Sequence, residues 1–374
     1  MNNKIINTIM LLIFFAFPFV FILKPFTGDI DLYNLYFLLL TPFLLLNAVL
    51  QGLFLNKINI DRNQLFKYYL AVFFLILINF NFQEFSFSIY LVFIFFLIVF
   101  FSAIQPAIEI RKFHIYIRSI IVIYFLTSSI LVFIPQYSML FENESRYAGL
   151  WMSPTVCGIS SLIYYITFLN FSSKKDIIMR VLLYCILITL LVIAKSRINL
   201  FLGILIPGYF YFVSAKRLLL HKRKMFVLLI LTGIFFYPIY EFTKINNFEA
   251  RQNADDSDRT RLGYSVLLLK GFQSSTITCK IFGNKANSSL SLIGDDSIKP
   301  HNDFLRVVYD YGVLFLLLYI LILYYYYQSS TYMSFIIVIY IFSFYHNMIF
   351  DFFLLVYLIF MRFMLKSNYQ NTKP

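Results

Sequence analysis

Apolar residues run along this chain in stretches of about 20, broken by short polar punctuation, and the pattern recurs from end to end. The stretches fall near 5–23, 33–53, 66–82, 87–104, 114–134, 149–171, 177–194, 198–214, 225–240, 304–325, 332–346 and 349–364. A helix of that length spans the hydrocarbon core of a bilayer. The expected fold is therefore an all-α polytopic membrane protein of about 12 transmembrane helices. One segment departs from the pattern, a largely polar stretch of about sixty residues from Glu241 to Asn302. Within it, Arg261–Phe272 (RLGYSVLLLKGF) predicts a short amphipathic helix, and Gly283-Asn284 and Gly294-Asp295-Asp296 mark turns. The expected organisation is helices one to nine in 1–240, a large outer loop at 241–303, helices ten to twelve in 304–365 and a tail at 366–374.

Composition sharpens this picture. The 374 residues are 60% hydrophobic, 21% aromatic and 13% charged, more apolar surface than a water-soluble domain hides. The net charge of +13 suggests an acidic partner until its distribution is read. Lys57, Arg62, Lys67, Arg111, Lys112, Lys174, Lys175 and the run from Lys216 to Lys224 all fall on one side of the predicted bundle. The short segments of the other side hold only Lys24, Arg146, Lys195 and Arg197. This is the positive-inside asymmetry; it sets both termini in the cytoplasm and explains the basic residues without nucleic acid. The first apolar stretch is too long for a signal-peptide core and lacks a small-residue cleavage site, so it reads as a retained span. Cys157, Cys185 and Cys279 show no CxxC spacing and support neither a disulfide framework nor a zinc site.

Topology then collects the outer-face charges. Arg146 precedes the sixth span, and Lys195 and Arg197 stand where the seventh and eighth spans turn back with almost no loop. Arg259 and Arg261 follow an acidic run, and His301 and Asn302 stand at the entry of the tenth span. Each has a plainer reading. Arg197 snorkels to water; Arg146 pairs with Glu142 or Glu144; Arg259 and Arg261 balance Asp255, Asp256 and Asp258; His301 is an interfacial histidine. Arg306 and Asp310, four apart, read as an intrahelical pair. The acidic residues of 255–258 and 295–296 are oxygen donors of the kind a divalent cation takes, but their signal is weak and no metal is expected. Taken together, several guanidinium groups and one imidazole suit a pyrophosphate and a proton abstraction, since the planar fork donates paired hydrogen bonds and histidine titrates near neutrality.

Four segments resemble the O-antigen ligase and polymerase superfamily. Arg146–Thr155 (RYAGLWMSPT) is similar to its R-x-x-G-x-x-x-x-P segment, and Ser196–Leu205 (SRINLFLGIL) to its S-R-x-x-L segment. Arg261–Phe272 followed by Lys280–Asn284 (KIFGN) resembles its loop pattern. Pro300–Tyr319 resembles its H-N-x-x-L-x-x-x-x-x-x-G signature, with His301, Asn302, Leu305 and Gly312 in place. The segments cover under half the chain but keep the family's order. Ser153 and Thr155 depart from the Asn often found around the Pro, and either Arg259 or Arg261 aligns with the loop arginine; Arg261 abuts the apolar stretch.

The resemblance implies a GT-C-like membrane glycosyltransferase of the bacterial inner membrane with a periplasmic active site. Its donor would be an undecaprenyl-pyrophosphate-linked oligosaccharide, with no cofactor. A Wzy-type polymerase of O-antigen or capsule repeat units is the expected branch, and a ligase acting on lipid A–core is the alternative. A chain-length regulator and a flippase are candidate partners beside the lipid bilayer. In that frame His301 is the expected base, and Arg197 and Arg261, supported by Arg146, Arg259 and Asn302, are expected to hold substrate. The rival class is a lipid-linked-oligosaccharide flippase or transporter, which places ionisable groups near the bilayer midplane. Arg180 and Asp351 are the residues that would suit it.

Overall fold

In a computed structural model, residues 114–141, 144–151, 153–172, 176–214, 256–285, 288–293 and 305–317 are described, with Phe19 and Ile22. The predicted spans near 33–53, 66–82, 87–104, 225–240, 332–346 and 349–364, and nearly all of 5–23, lie outside the described residues, as does Asp351.

Four helices follow the apolar runs: α1 (His114–Leu131), α2 (Pro154–Phe171), α3 (Ile177–Ile193) and α4 (Arg197–Ser214). Helix α2 is the centre. It packs on α1, α3 and α4, and every residue from Cys157 to Phe168 is buried. Its neighbours bury one stripe each. In α1 that stripe is Ile117, Ile121, Tyr124, Phe125, Ser128 and Leu131, at the spacing of a single helical face. In α3 it is Leu183, Leu187, Leu190 and Leu191. Tyr124 and Tyr164 stack with ring centroids 4.5 Å apart at the α1–α2 contact.

The outward faces are as apolar as the inward ones. Ile115, Ile123, Leu126 and Ile130 of α1, Ile178, Val181 and Leu182 of α3, and Phe201, Ile204 and Leu205 of α4 are exposed, Ile178 to 83%. Among the described residues, no helix is long and apolar enough to cross a membrane. The 18 residues of α1, α2 and α4 rise about 27 Å at 1.5 Å per residue, against a core of about 30 Å.

The predicted sixth span, 149–171, is not one helix. Gly149–Trp151 forms a 3₁₀ turn and the α-helix begins at Pro154. Pro suits the first helical position, where its missing N–H leaves nothing unmade. Gly149 has φ +60°, outside the right-handed helical region, so α2 does not extend back through it. Before this turn lies a two-stranded antiparallel hairpin that the apolar pattern did not predict, β1 (Ser138–Phe141) and β2 (Glu144–Tyr147), with Met139 opposite Arg146.

Several polar groups of this apolar bundle are met by other parts of the chain. Pro207 interrupts α4 and cannot bond the Gly203 carbonyl four residues back; the Tyr184 hydroxyl of α3 donates to that carbonyl at 3.2 Å. At the predicted cytoplasmic end, Arg180 donates through Nε to Ser172 Oγ and through Nη2 to the Ser172 carbonyl, both at 2.7 Å, closing the C-terminus of α2. Arg180 thus works at a helix end and not at mid-bundle. Arg118 and Asp176 pair beside it at 2.9 Å. At the other end, the Tyr147 hydroxyl donates to the Ser128 carbonyl of α1 at 2.7 Å. Burial pushes that phenol well above its ordinary range, so it remains a donor.

Gly149 offers a test of this packing. A Cβ there would lie 2.6 Å from Cys157 Sγ and would take an unfavourable φ. Gly149→Ala should destabilise the protein by about 2–4 kcal/mol, combining overpacking with left-handed strain. Adding Cys157→Ala should recover about half of that loss, as read by thermal unfolding of the purified chain.

Candidate functional site

Two groups of described residues bear on the expected site. The first lies at the end of the bundle where α1 and α3 finish and α2 and α4 begin. Arg146 stands on β2, one residue before the buried Tyr147, and β2 rests against α3. Arg197 is the first residue of α4.

The turn that delivers Arg197 is a Schellman closure of α3. Ser196 N–H donates to the Leu191 carbonyl at 3.4 Å and Lys195 N–H to that of Val192 at 3.0 Å. That closure demands a left-handed residue, and Lys195 supplies it at φ 49° where glycine is the usual choice. An L-residue in this conformation costs roughly 1–2 kcal/mol, and strain of this kind gathers where the surroundings over-determine it. The surroundings here are specific. Asn199 is fully buried; its Nδ2 donates to Ser196 Oγ at 2.7 Å and to the Thr155 carbonyl of α2 at 3.1 Å. A Cβ on Gly158 would lie 2.5 Å from Asn199 Nδ2, so the missing side chain at 158 admits this amide. The first turns of α2 and α4 are thereby locked together, and the backbone of Arg197 is fixed at the bundle end that carries Arg146.

The second group joins the polar segment to the tenth predicted span. Helix α5 (Asp256–Ser274) is followed by α6 (Ile277–Phe282), α7 (Ser288–Ile293) and α8 (residues 305–317). Arg259 and Arg261 both lie in the opening turns of α5, which begins earlier than the predicted amphipathic stretch. Asp256 and Asp258 in its first turn suit the positive end of a helix.

Glycines set how α6 meets α8. Gly283 has φ +92° and Gly312 has φ +84°. A Cβ on Gly283 would strike the Asp310 carbonyl oxygen, and one on Gly312 would strike that of Ile281 and lie 2.6 Å from Gly283 N. Backbone touches backbone, and only glycine permits it at either position. Asn284 completes the contact. Its backbone N–H and its Nδ2 both donate to the Tyr309 carbonyl at 3.0 Å, and Nδ2 also reaches Ser275 Oγ at 3.2 Å.

Asp310 binds α7 to the same place. Its Oδ1 accepts from Ser289 N–H at 2.7 Å and from Ser288 Oγ at 3.0 Å, and its Oδ2 from Ser289 Oγ at 2.8 Å. The expected pair with Arg306 is present within α8, Nε to Oδ2 at 3.6 Å, with both side chains buried.

Sequence reading singled out Gly283 and Asn284 as a turn and Gly312 as the end of a signature segment; the fold brings them into one contact. Ser288, Ser289 and Asn199 carried no signal beyond small polar residues at turns, and their roles were missed. His301 and Asn302, together with Asp295 and Asp296, lie outside the described residues. Among the described residues, no group of three or more His, Cys, Asp or Glu is gathered.

The strain at Lys195 has a direct check. Lys195→Gly should leave stability unchanged or raise it by up to about 1 kcal/mol, while Lys195→Val should lower it by at least about 1 kcal/mol. Both are read by thermal unfolding, and equal losses in the two variants would contradict the left-handed turn.

The chain matches no protein-family model, no curated protein and no solved structure.

Proposed function

We propose that this chain is a membrane-embedded glycosyltransferase that polymerises lipid-linked repeat units. It moves a glycan from undecaprenyl pyrophosphate onto the terminal sugar of a second lipid-linked unit. The observation that carries this reading is the order of arginine and His-Asn segments along the chain. Two of their arginines, Arg146 and Arg197, stand on elements that share one bundle end. Two kinds of support come from packing. The exposed faces of α1, α3 and α4 are apolar along their length, which suits lipid and not water. Gly283, which ends the loop pattern, and Gly312, which ends the signature, lie backbone to backbone, so the described ends of two segments of the resemblance are in contact.

The chemistry follows from the donors available. The acceptor hydroxyl oxygen attacks the anomeric carbon of the donor sugar, and the bond from that carbon to the pyrophosphate oxygen breaks. The bonding pair leaves with the undecaprenyl pyrophosphate. Direct displacement of this kind inverts the anomeric configuration. His301 takes the hydroxyl proton. Arg197 and Arg261 meet the charge that grows on the departing pyrophosphate, with Arg146 in support. Cationic donors held in place stabilise that charge more than they stabilise the bound substrate, which is what accelerates the step. Because pyrophosphate leaves as a stable anion, no acid is required on the leaving side.

Replacing His301 with Ala should cut chain elongation by a factor on the order of 10² or more, so that cells display single repeat units in place of long polysaccharide. Arg197→Lys should lose at least about tenfold, since an ammonium cannot reproduce the paired bonds of a guanidinium. Normal chain length in both variants, at wild-type protein levels, would overturn the proposal.

A further inference from the structure

Asp310 has no task in the chemistry above, yet its carboxylate accepts three hydrogen bonds from α7 beside its pair with Arg306. It is 1% exposed. Burying a carboxylate is costly unless its oxygens are met. Pairing with Arg306 alone would serve a purely local role within α8. Three further donors converge on it instead, all from α7, more than 20 residues away in sequence. Each of the three bonds joins α7 to α8, so the carboxylate clasps the polar segment to that helix.

What α7 holds in turn is α5. The two helices pack on each other. A Cβ on Gly271 of α5 would lie 2.9 Å from Leu292 of α7 and 2.9 Å from the Tyr309 ring of α8, so the three helices meet at that point. Ser275, just past the end of α5, bonds the Asn284 side chain that also grips Tyr309. A shift of α7 away from α8 therefore moves α5, and α5 carries Arg259 and Arg261.

We propose that Asp310 is a positioning residue, fixing through α7 the helix that presents Arg259 and Arg261. Its burial keeps it from substrate, so it is not a catalytic base. The inference rests on the function proposed above for its effect on turnover, and on the Asp310–Ser288–Ser289 contact alone for its effect on structure.

The test uses the full-length chain, purified in detergent, with two readouts: hydrogen exchange by segment and elongation of an undecaprenyl-pyrophosphate-linked repeat unit. Asp310→Ala should raise exchange across 288–293 by at least about tenfold and leave 154–171 unchanged. It should lower kcat by at least about tenfold with KM within about threefold, because the misplaced arginines act chiefly in the transition state. Asp310→Asn, which keeps an acceptor for Ser289 N–H, should restore part of both. Combined with Arg261→Ala, the two losses in kcat should not multiply, since both act through the same arginine. Wild-type turnover and exchange in Asp310→Ala would overturn the inference. So would an equal rise in exchange across 154–171, or losses that multiply. If the wild-type chain does not elongate the substrate, the proposed function fails, while the exchange readout still decides whether Asp310 holds the segment.

Discussion

Backbone and side-chain polar groups in an apolar bundle must find partners within the chain, and that constraint shapes most of what is seen here. The Gly203 carbonyl, freed by Pro207, accepts a hydrogen bond from the Tyr184 hydroxyl; Ser172, the C-cap of α2, accepts one from Arg180 at its carbonyl and one at its hydroxyl; the Ser128 carbonyl of α1 accepts one from Tyr147. Each bond also joins two elements, so satisfying a carbonyl and fixing a helix pair are the same event. Asn199 is the clearest example, because its single amide group closes the α4 turn and ties it to α2.

The same constraint gives the proposed site its firmness. Arg197, a residue of the proposed site, follows a turn whose backbone is locked on both sides. Arg259 and Arg261 lie on α5, and the described part of their segment is tied to α8 through two glycines that let backbones touch and one buried carboxylate. Rigidity is thus supplied at the bundle end by tight turns and in the loop by docking. For the proposed chemistry this matters because donors held in place before charge develops are the ones that stabilise a transition state electrostatically.

Among the described residues the helices of the bundle were legible in the sequence, because the apolar runs and the helices have the same physical cause. The run at 177–194 became Ile177–Ile193, and that at 198–214 became Arg197–Ser214. The run at 149–171 misled where Gly149 and Pro154 break the helix without breaking the hydropathy. The hairpin from Ser138 to Tyr147 was illegible because four-residue strands leave almost no periodic signal. At the site, the local Arg306–Asp310 pair could be read from spacing. The clasp between Asp310 and Ser288–Ser289 could not, because contacts so distant in sequence leave no local pattern. Glycine was the intermediate case: Gly283 and Gly312 were visible as unusual residues, but their mutual contact was not.

The most direct measurement is elongation by the purified chain in liposomes, without an ion gradient, on an undecaprenyl-pyrophosphate-linked repeat unit. A ladder of longer glycans, released undecaprenyl pyrophosphate and an inverted anomeric linkage are the expected result. Substrate that stays a single unit, with the protein folded and the lipid-linked donor merely moved across the bilayer, would contradict glycosyl transfer.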